Sequence, residues 1–257
     1  MSIRPLKLSA PDWCFFRDAV PAEEYYRRLA ALGVAGVEMV DPARLGAARA
    51  AGLAILNLPG PGMAEGLNRV EHHATLLPAI RKAIDAAKRE SIPAVIVFSG
   101  NGEQAQNAEG IANCVAGLRK LVPAAEKAGI NLLFEMLCTQ DHPGFQAAHS
   151  AYGFEVVRQV NSPAVKALYD LYHMYRMGDD ILSDVLGNLH LIGHLHLASA
   201  PQRSKPVRGG TPDYGVIVPA VHAAGYSGYW GLEFKPQGDP LEEIAESAAL
   251  FQGYISR

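Results

Sequence analysis

A chain of 257 residues, 49% hydrophobic and 19% charged, carries enough apolar material for a sizeable core and too much for wholesale disorder. Its formal net charge of -3 supplies no general attraction to nucleic acid, and no Lys/Arg cluster marks a phosphate-tracking stripe, so the expected partner is a small molecule. Cys14, Cys114 and Cys138 form no CxxC pair and are odd in number, which argues against a disulfide framework and a structural zinc site.

The opening segment, MSIRPLKLSAPDW, lacks the apolar run of a signal peptide, and no stretch approaches the roughly 18 apolar residues of a membrane span. The expectation is a cytoplasmic protein without a membrane partner. Short β-branched or apolar runs then alternate with longer helical patterns, the rhythm of βαβ units over a parallel sheet. The predicted strands are 6–9, 36–39, 54–58, 94–98, 132–135, 165–170, 191–197 and 229–233. Between the first two, Pro21 suits a first helical turn and Gly33 a C-terminal stop. Asn68 is placed to cap a long helix reaching Glu90, after which Pro93 leads into the fully apolar AVIVF. Another helix ends at Gly129, and Asp239-Pro240 opens the last. Eight such units in about 250 residues predict a single (β/α)8 TIM barrel spanning 1–257. A doubly wound sheet shares the alternation, but no GxGxxG or GxxxxGK[ST] is present.

In such a barrel the chemistry sits at the C-terminal ends of the strands. Glu135 ends NLLFE, Asp170 ends VKALYD, His196 lies in LIGHLHLAS and Glu233 ends GYWGLE, one on each of strands five to eight. One such carboxylate is as readily a helix cap as a ligand, whereas four in succession predict a single divalent ion held by Glu135, Asp170, His196 and Glu233. Carboxylates and imidazole suit Mn²⁺ first, Mg²⁺ second, with Co²⁺ possible. His194, two residues before His196, shares its face but lies deeper. His173, in the DLYH turn, is placed to touch substrate or orient a ligand. Trp13, Phe15 and Phe16 follow strand one, either as a pocket wall or as packing under a loop, and Glu38 ends strand two.

The segments FEMLCTQDHPGF, YDLYHM, GHLHLASAPQR and GLEFKP resemble, in this order, the xylose-isomerase-like sugar isomerase and epimerase barrels, most of all the hydroxypyruvate isomerase branch. The match is strong over residues 130–236 and architectural before them. The resemblance implies that Glu135, Asp170, His196 and Glu233 are metal ligands, that Glu135 and Glu233 double as the acid/base pair, and that His173 and Arg203 contact substrate. It also implies a homo-oligomer, either a dimer or a tetramer. Two positions depart from the branch. It commonly carries glutamine where His196 stands, whereas ketose epimerases carry histidine there, and after Arg203 this chain reads SKPVRGG, with Lys205 and Arg208, instead of Glu-Pro-Gly. The activity implied is metal-dependent isomerisation of a short keto acid such as hydroxypyruvate to its hydroxy-aldehyde, through an enediolate. The alternatives are ketose 3-epimerisation or a related sugar isomerisation, and a non-catalytic sugar-acid binder. A related metal-dependent endonuclease needs further histidines on early strands, which AILNLPG and VIVFSGN lack.

Overall fold

A computed structural model describes residues 5–256. Residues 1–4, with which the leading segment discussed above begins, and residue 257 lie outside the described residues. In chain order the elements are β1 (Lys7–Pro11), α1 (Asp12–Phe15), α2 (Ala22–Ala31), β2 (Val34–Glu38), α3 (Leu45–Ala50), β3 (Ala54–Ile55), α4 (Val70–Arg89), β4 (Ala94–Phe98), α5 (Asn107–Ala128), β5 (Asn131–Glu135), α6 (Ser150–Val160), β6 (Val165–Asp170), α7 (Leu171–Met177), α8 (Ile181–Gly187), β7 (Ile192–Leu197), α9 (Tyr214–Ala223), β8 (Tyr229–Leu232) and α10 (Pro240–Ile255). The strands form one parallel sheet in the order β3-β2-β1-β8-β7-β6-β5-β4, and the fold class is the (β/α)8 TIM barrel. Among the described residues no helix is long and apolar enough to cross a membrane.

The chain divides into two compact units, one running up to Leu56 and resuming at Leu195, the other Asn57–His194. In the first, β1 pairs with β2 and β8, β2 with β3, and β8 with the second half of β7. Its core is built from Leu8, Ala10, Val37, Trp230 and Leu232 on strands and from Ile244 and Phe251 on α10, all buried. α10 starts where Asp239 accepts from the Leu241 and Glu242 N–H groups and Pro240 opens the first turn, as the sequence predicts.

In the second unit β4 pairs with β5 and β5 with β6, in a register that sets Phe98 beside Glu135 and Glu135 beside Leu168. All five residues of β4 are buried, which is why its sequence is apolar without alternation. α4 buries His73, Leu76, Ile80, Ile84 and Ala87, a stripe at helical spacing. α5 ends at Gly129, whose φ of 71° is the left-handed C-terminal stop. Two expectations need correction. β3 proper covers two residues, although Leu58 beyond it bridges Val95 of β4. Asn68 does not cap α4. The helix starts at Val70 with Arg69 at the cap position, and the Asn68 amide donates instead to the Asn101 carbonyl and the Gln146 side chain, at 2.9 and 2.8 Å. Loop packing outcompetes the local cap here. Gly66 and Gly100, both with positive φ, let the backbone after β3 lie against the end of β4, where a Cβ on Gly66 sits 2.0 Å from the Ser99 carbonyl oxygen.

Candidate active site

In the first unit the C-terminal ends of β2, β7 and β8 gather a buried polar group inside an apolar wall. Glu233 directly follows β8 and is aligned by its N–H, which donates 3.0 Å to the Leu197 carbonyl at the end of β7. One carboxylate oxygen accepts from the Trp13 indole N–H at 3.1 Å, and the other accepts from the Arg203 guanidinium. His196 Nδ1 lies 3.0 Å from that second oxygen. The other ring nitrogen, Nε2, lies 2.9 Å from Glu38 Oε2, and Glu38 Oε1 accepts from the Ser9 hydroxyl at 2.7 Å. Glu38, His196 and Glu233 are at most 4% exposed.

Both ring nitrogens of His196 thus face carboxylates, Nε2 toward Glu38 and Nδ1 toward Glu233, and because a carboxylate can only accept, each side draws a proton onto the nitrogen it faces. Burial alone raises the Glu233 carboxyl pKa, but the charges of His196 and Arg203 outweigh it and hold the group well below the usual carboxylate range. The neighbouring Cys14 thiol is driven the other way, well up, by burial and then by the Glu233 charge, and stays a thiol.

Arg203 holds its position through an unusual backbone. It has φ 54°, a left-handed conformation seldom adopted by residues other than glycine, and its side chain is buried against Glu233, with the guanidinium 5.3 Å from the Trp13 ring centre. Its carbonyl accepts from the Lys235 N–H at 2.7 Å and its Nε donates to the Glu233 carbonyl. Lys205 and Arg208, the extra cations of the SKPVRGG run, turn to α10, where Lys205 pairs with Glu246 and Arg208 covers the Tyr254 ring. Trp13 is 48% exposed, whereas Phe15 packs edge-on against Phe234 and Phe16 against Tyr25. Of the three aromatic residues after β1, then, Trp13 alone lies at the site and the other two are packing.

In the second unit Glu135 ends β5 and Asp170 ends β6, both buried. Asp170 also caps α7, because its Oδ1 accepts from the Tyr172 N–H at 2.8 Å and the His173 N–H at 3.4 Å. The cap and ligand readings of this residue are therefore compatible, since Oδ2 is directed elsewhere, 3.6 Å from His173 Nε2. His173 is fully buried, and its Nδ1 lies 3.1 Å from Cys138 Sγ. His194, on β7, is buried as expected.

Sequence reasoning left open what Glu38 does and missed the contact between Trp13 and Glu233. Glu38 carried a signal, a carboxylate ending an apolar strand. The indole contact joins residues 220 positions apart and no periodicity announces it.

A family model described as a xylose isomerase-like TIM barrel matches residues 26–254. Hydroxypyruvate isomerase of Escherichia coli K12 is 31% identical over 126 residues, which cover 49% of this chain and 48% of that enzyme, so the chain spans about half the length of this relative. A putative hydroxypyruvate isomerase of Homo sapiens is 26% identical over 265 residues, covering 94% of each. The solved structure of an AP endonuclease, family 2, from Brucella melitensis superimposes with a TM-score of 0.79 at 25% identity, over 96% of this chain and 99% of that one.

Proposed function

Because the chain belongs to the xylose isomerase-like TIM-barrel family, we propose that it is an isomerase of short keto acids, hydroxypyruvate or a close analogue, and that Glu135, Asp170, His196 and Glu233 together hold one divalent ion. The observation that supports this most is Glu233, a buried carboxylate kept ionised by His196 and Arg203 beside an imidazole whose Nδ1 is turned toward it. The donor set fits the ion, since three carboxylates and one imidazole, all buried, offer hard and borderline ligands and no thiolate. Mn²⁺ or Mg²⁺ matches this set. When bound, such an ion supplies Lewis-acid polarisation of the substrate carbonyl and stabilises negative charge next to it.

The proton bookkeeping follows from the reaction. To turn the hydroxy-ketone into the hydroxy-aldehyde, a base removes a proton from the hydroxymethyl carbon, leaving an enediolate across two carbons. The former carbonyl carbon then takes up a proton, while the hydroxyl proton moves from one oxygen to the other. Glu135 and Glu233 are the groups assigned to removing and returning the carbon proton. Asp170 is assigned to holding the ion alone, since its Oδ1 is committed to the cap of α7. His173 and Arg203 orient the substrate, with Arg203 offering a planar fork to its carboxylate in addition to holding Glu233.

A second reading, ketose 3-epimerisation, is favoured by one observation. His196 engages Glu38 with one nitrogen and faces Glu233 with the other, an arrangement that the glutamine common in the hydroxypyruvate isomerase branch does not reproduce. The test is to incubate Mn²⁺-loaded protein in D₂O with hydroxypyruvate and with neutral ketoses, and to follow products and deuterium uptake. Isomerisation of hydroxypyruvate is expected, with Glu135→Gln and Glu233→Gln each reducing carbon-bound deuterium uptake by roughly 10²- to 10⁴-fold. Efficient epimerisation of neutral ketoses with hydroxypyruvate untouched establishes the second reading instead. Near-normal exchange in either glutamine variant removes that residue from the chemistry.

A further inference from the structure

A different cluster, in the second unit, has the softer ligand set that the four-residue site lacks. Cys138 and Asp141 lie in the turn after β5, and His173 lies in α7. A sulfur, a carboxylate oxygen and an imidazole nitrogen from these three residues all lie within 4.8 Å of one another. His173 Nδ1 is 3.1 Å from Cys138 Sγ, and both residues are buried, while Asp141 reaches the surface and opens the cluster to it. The ring centre of His142 is 5.5 Å from that of His173, on the border of the same spot.

We propose that Cys138, Asp141 and His173 form a second cation site, selective for thiophilic divalent ions such as Zn²⁺ or Co²⁺ over Mg²⁺ and Mn²⁺. Thiolate and imidazole are the ligands that favour such ions, and a three-residue set leaves a fourth tetrahedral position for water or for His142. Bond lengths of about 2.3 Å to sulfur and about 2.0 Å to nitrogen in a tetrahedron set the two donor atoms roughly 3.5 Å apart. The observed 3.1 Å therefore has to open by only about 0.4 Å, within the reach of side-chain rotation. Asp141 is already loaded, for it accepts from the Tyr172 hydroxyl at 2.7 Å and pairs with Arg176 at 3.6 Å. The Arg176 guanidinium thus competes with an incoming ion for the same carboxylate. Uptake also expels the thiol proton, so the site tightens as pH rises.

The site has a consequence for its neighbour. An ion on Nδ1 of His173 leaves the ring proton on Nε2, the nitrogen 3.6 Å from Asp170. Thiophilic ions thereby set the tautomer of a residue next to a proposed ligand without occupying the ligand's own site.

Titration of the full chain with Co²⁺ tests this directly, because a thiolate ligand gives a sulfur-to-cobalt charge-transfer band in the near ultraviolet that carboxylates and imidazoles do not give. The expected result is a band that saturates by about two equivalents, survives Cys14→Ser and Cys114→Ser, and disappears in Cys138→Ser. Asp141→Asn, at an accessible carboxylate, weakens Co²⁺ binding by roughly tenfold or more, while Arg176→Met strengthens it several-fold. No band in the unmodified chain, or a band that persists in Cys138→Ser, overturns the proposal. Since no turnover is measured, the outcome is independent of whether the chain isomerises hydroxypyruvate.

Discussion

The two groups of proposed ligands are held by different physics. Glu233 and His196, in the first unit, are surrounded by charged and polar side chains, with Arg203 and Trp13 on the carboxylate and Glu38 on the imidazole. Asp170, in the second, is held largely by backbone, its Oδ1 taken by two N–H groups of α7. A carboxylate fixed by side chains can be detuned by a single substitution. One fixed by a helix start moves only if the helix does. The contrast suits the proposed division of labour, with Glu233 as an acid/base group and Asp170 as an anchor.

The strongest way to break that contrast is to remove Arg203. Arg203→Ala leaves the Glu233 charge buried without its guanidinium partner, and loss of one partner from a buried pair destabilises by about 3 to 5 kcal/mol. Urea unfolding of the metal-free chain should show this, and Arg203→Lys should recover only part of it because the fork geometry is lost. A change below about 1 kcal/mol means that the pair contributes no more than a surface ion pair.

Removing Glu38 sharpens the comparison instead. Glu38→Gln abolishes the carboxylate that orients the His196 ring through Nε2 but keeps a group of the same size. The expected effect is a metal affinity lower by about 10- to 100-fold, read by Mn²⁺ titration, with the unfolding midpoint changed much less. Equal affinity in the two proteins shows that His196 needs no orienting partner.

The smallest effect concerns pH. A carboxylate whose folded pKa is depressed contributes stability that is fully present above its unfolded value, about 4.3 for glutamate, and is lost as pH falls through the folded value. Glu233 is such a group, so between about pH 5 and 8 its contribution in the metal-free chain should be flat. A carbon-13 titration of this carboxyl should show no inflection in that range. An inflection near neutrality means that burial outweighs His196 and Arg203.

Much of this was legible in the sequence, and unevenly so. β4 to β8 announce themselves as largely apolar runs, and three of the four residues proposed as ligands end such a run or directly follow it, while His196 stands one residue before the end of β7. β3 was harder, since only Ala54 and Ile55 keep regular pairing and the next residues turn into loop contacts. Asn68 misled because a good capping residue is equally good at tying loops together, and Gln146 and the Asn101 carbonyl won its amide. Cys138 and His173, 35 positions apart, were legible as residue types but not as a pair. Contacts of this kind come from how loops pack above the strands, and hydrophobic periodicity carries no record of them.

The half-exposed Trp13 turns the carboxylate it touches into something that can be watched with light. The chain has two tryptophans, Trp13 at 48% exposure and Trp230 at 1%, so a collisional quencher such as acrylamide reaches the first and spares the second. The accessible fraction of the emission then belongs to an indole whose N–H is donated to Glu233 and whose ring lies beside the Arg203 guanidinium. Anything that draws Glu233 away from that indole changes the colour and lifetime of this fraction alone, and the site carries its own optical gauge without an added label.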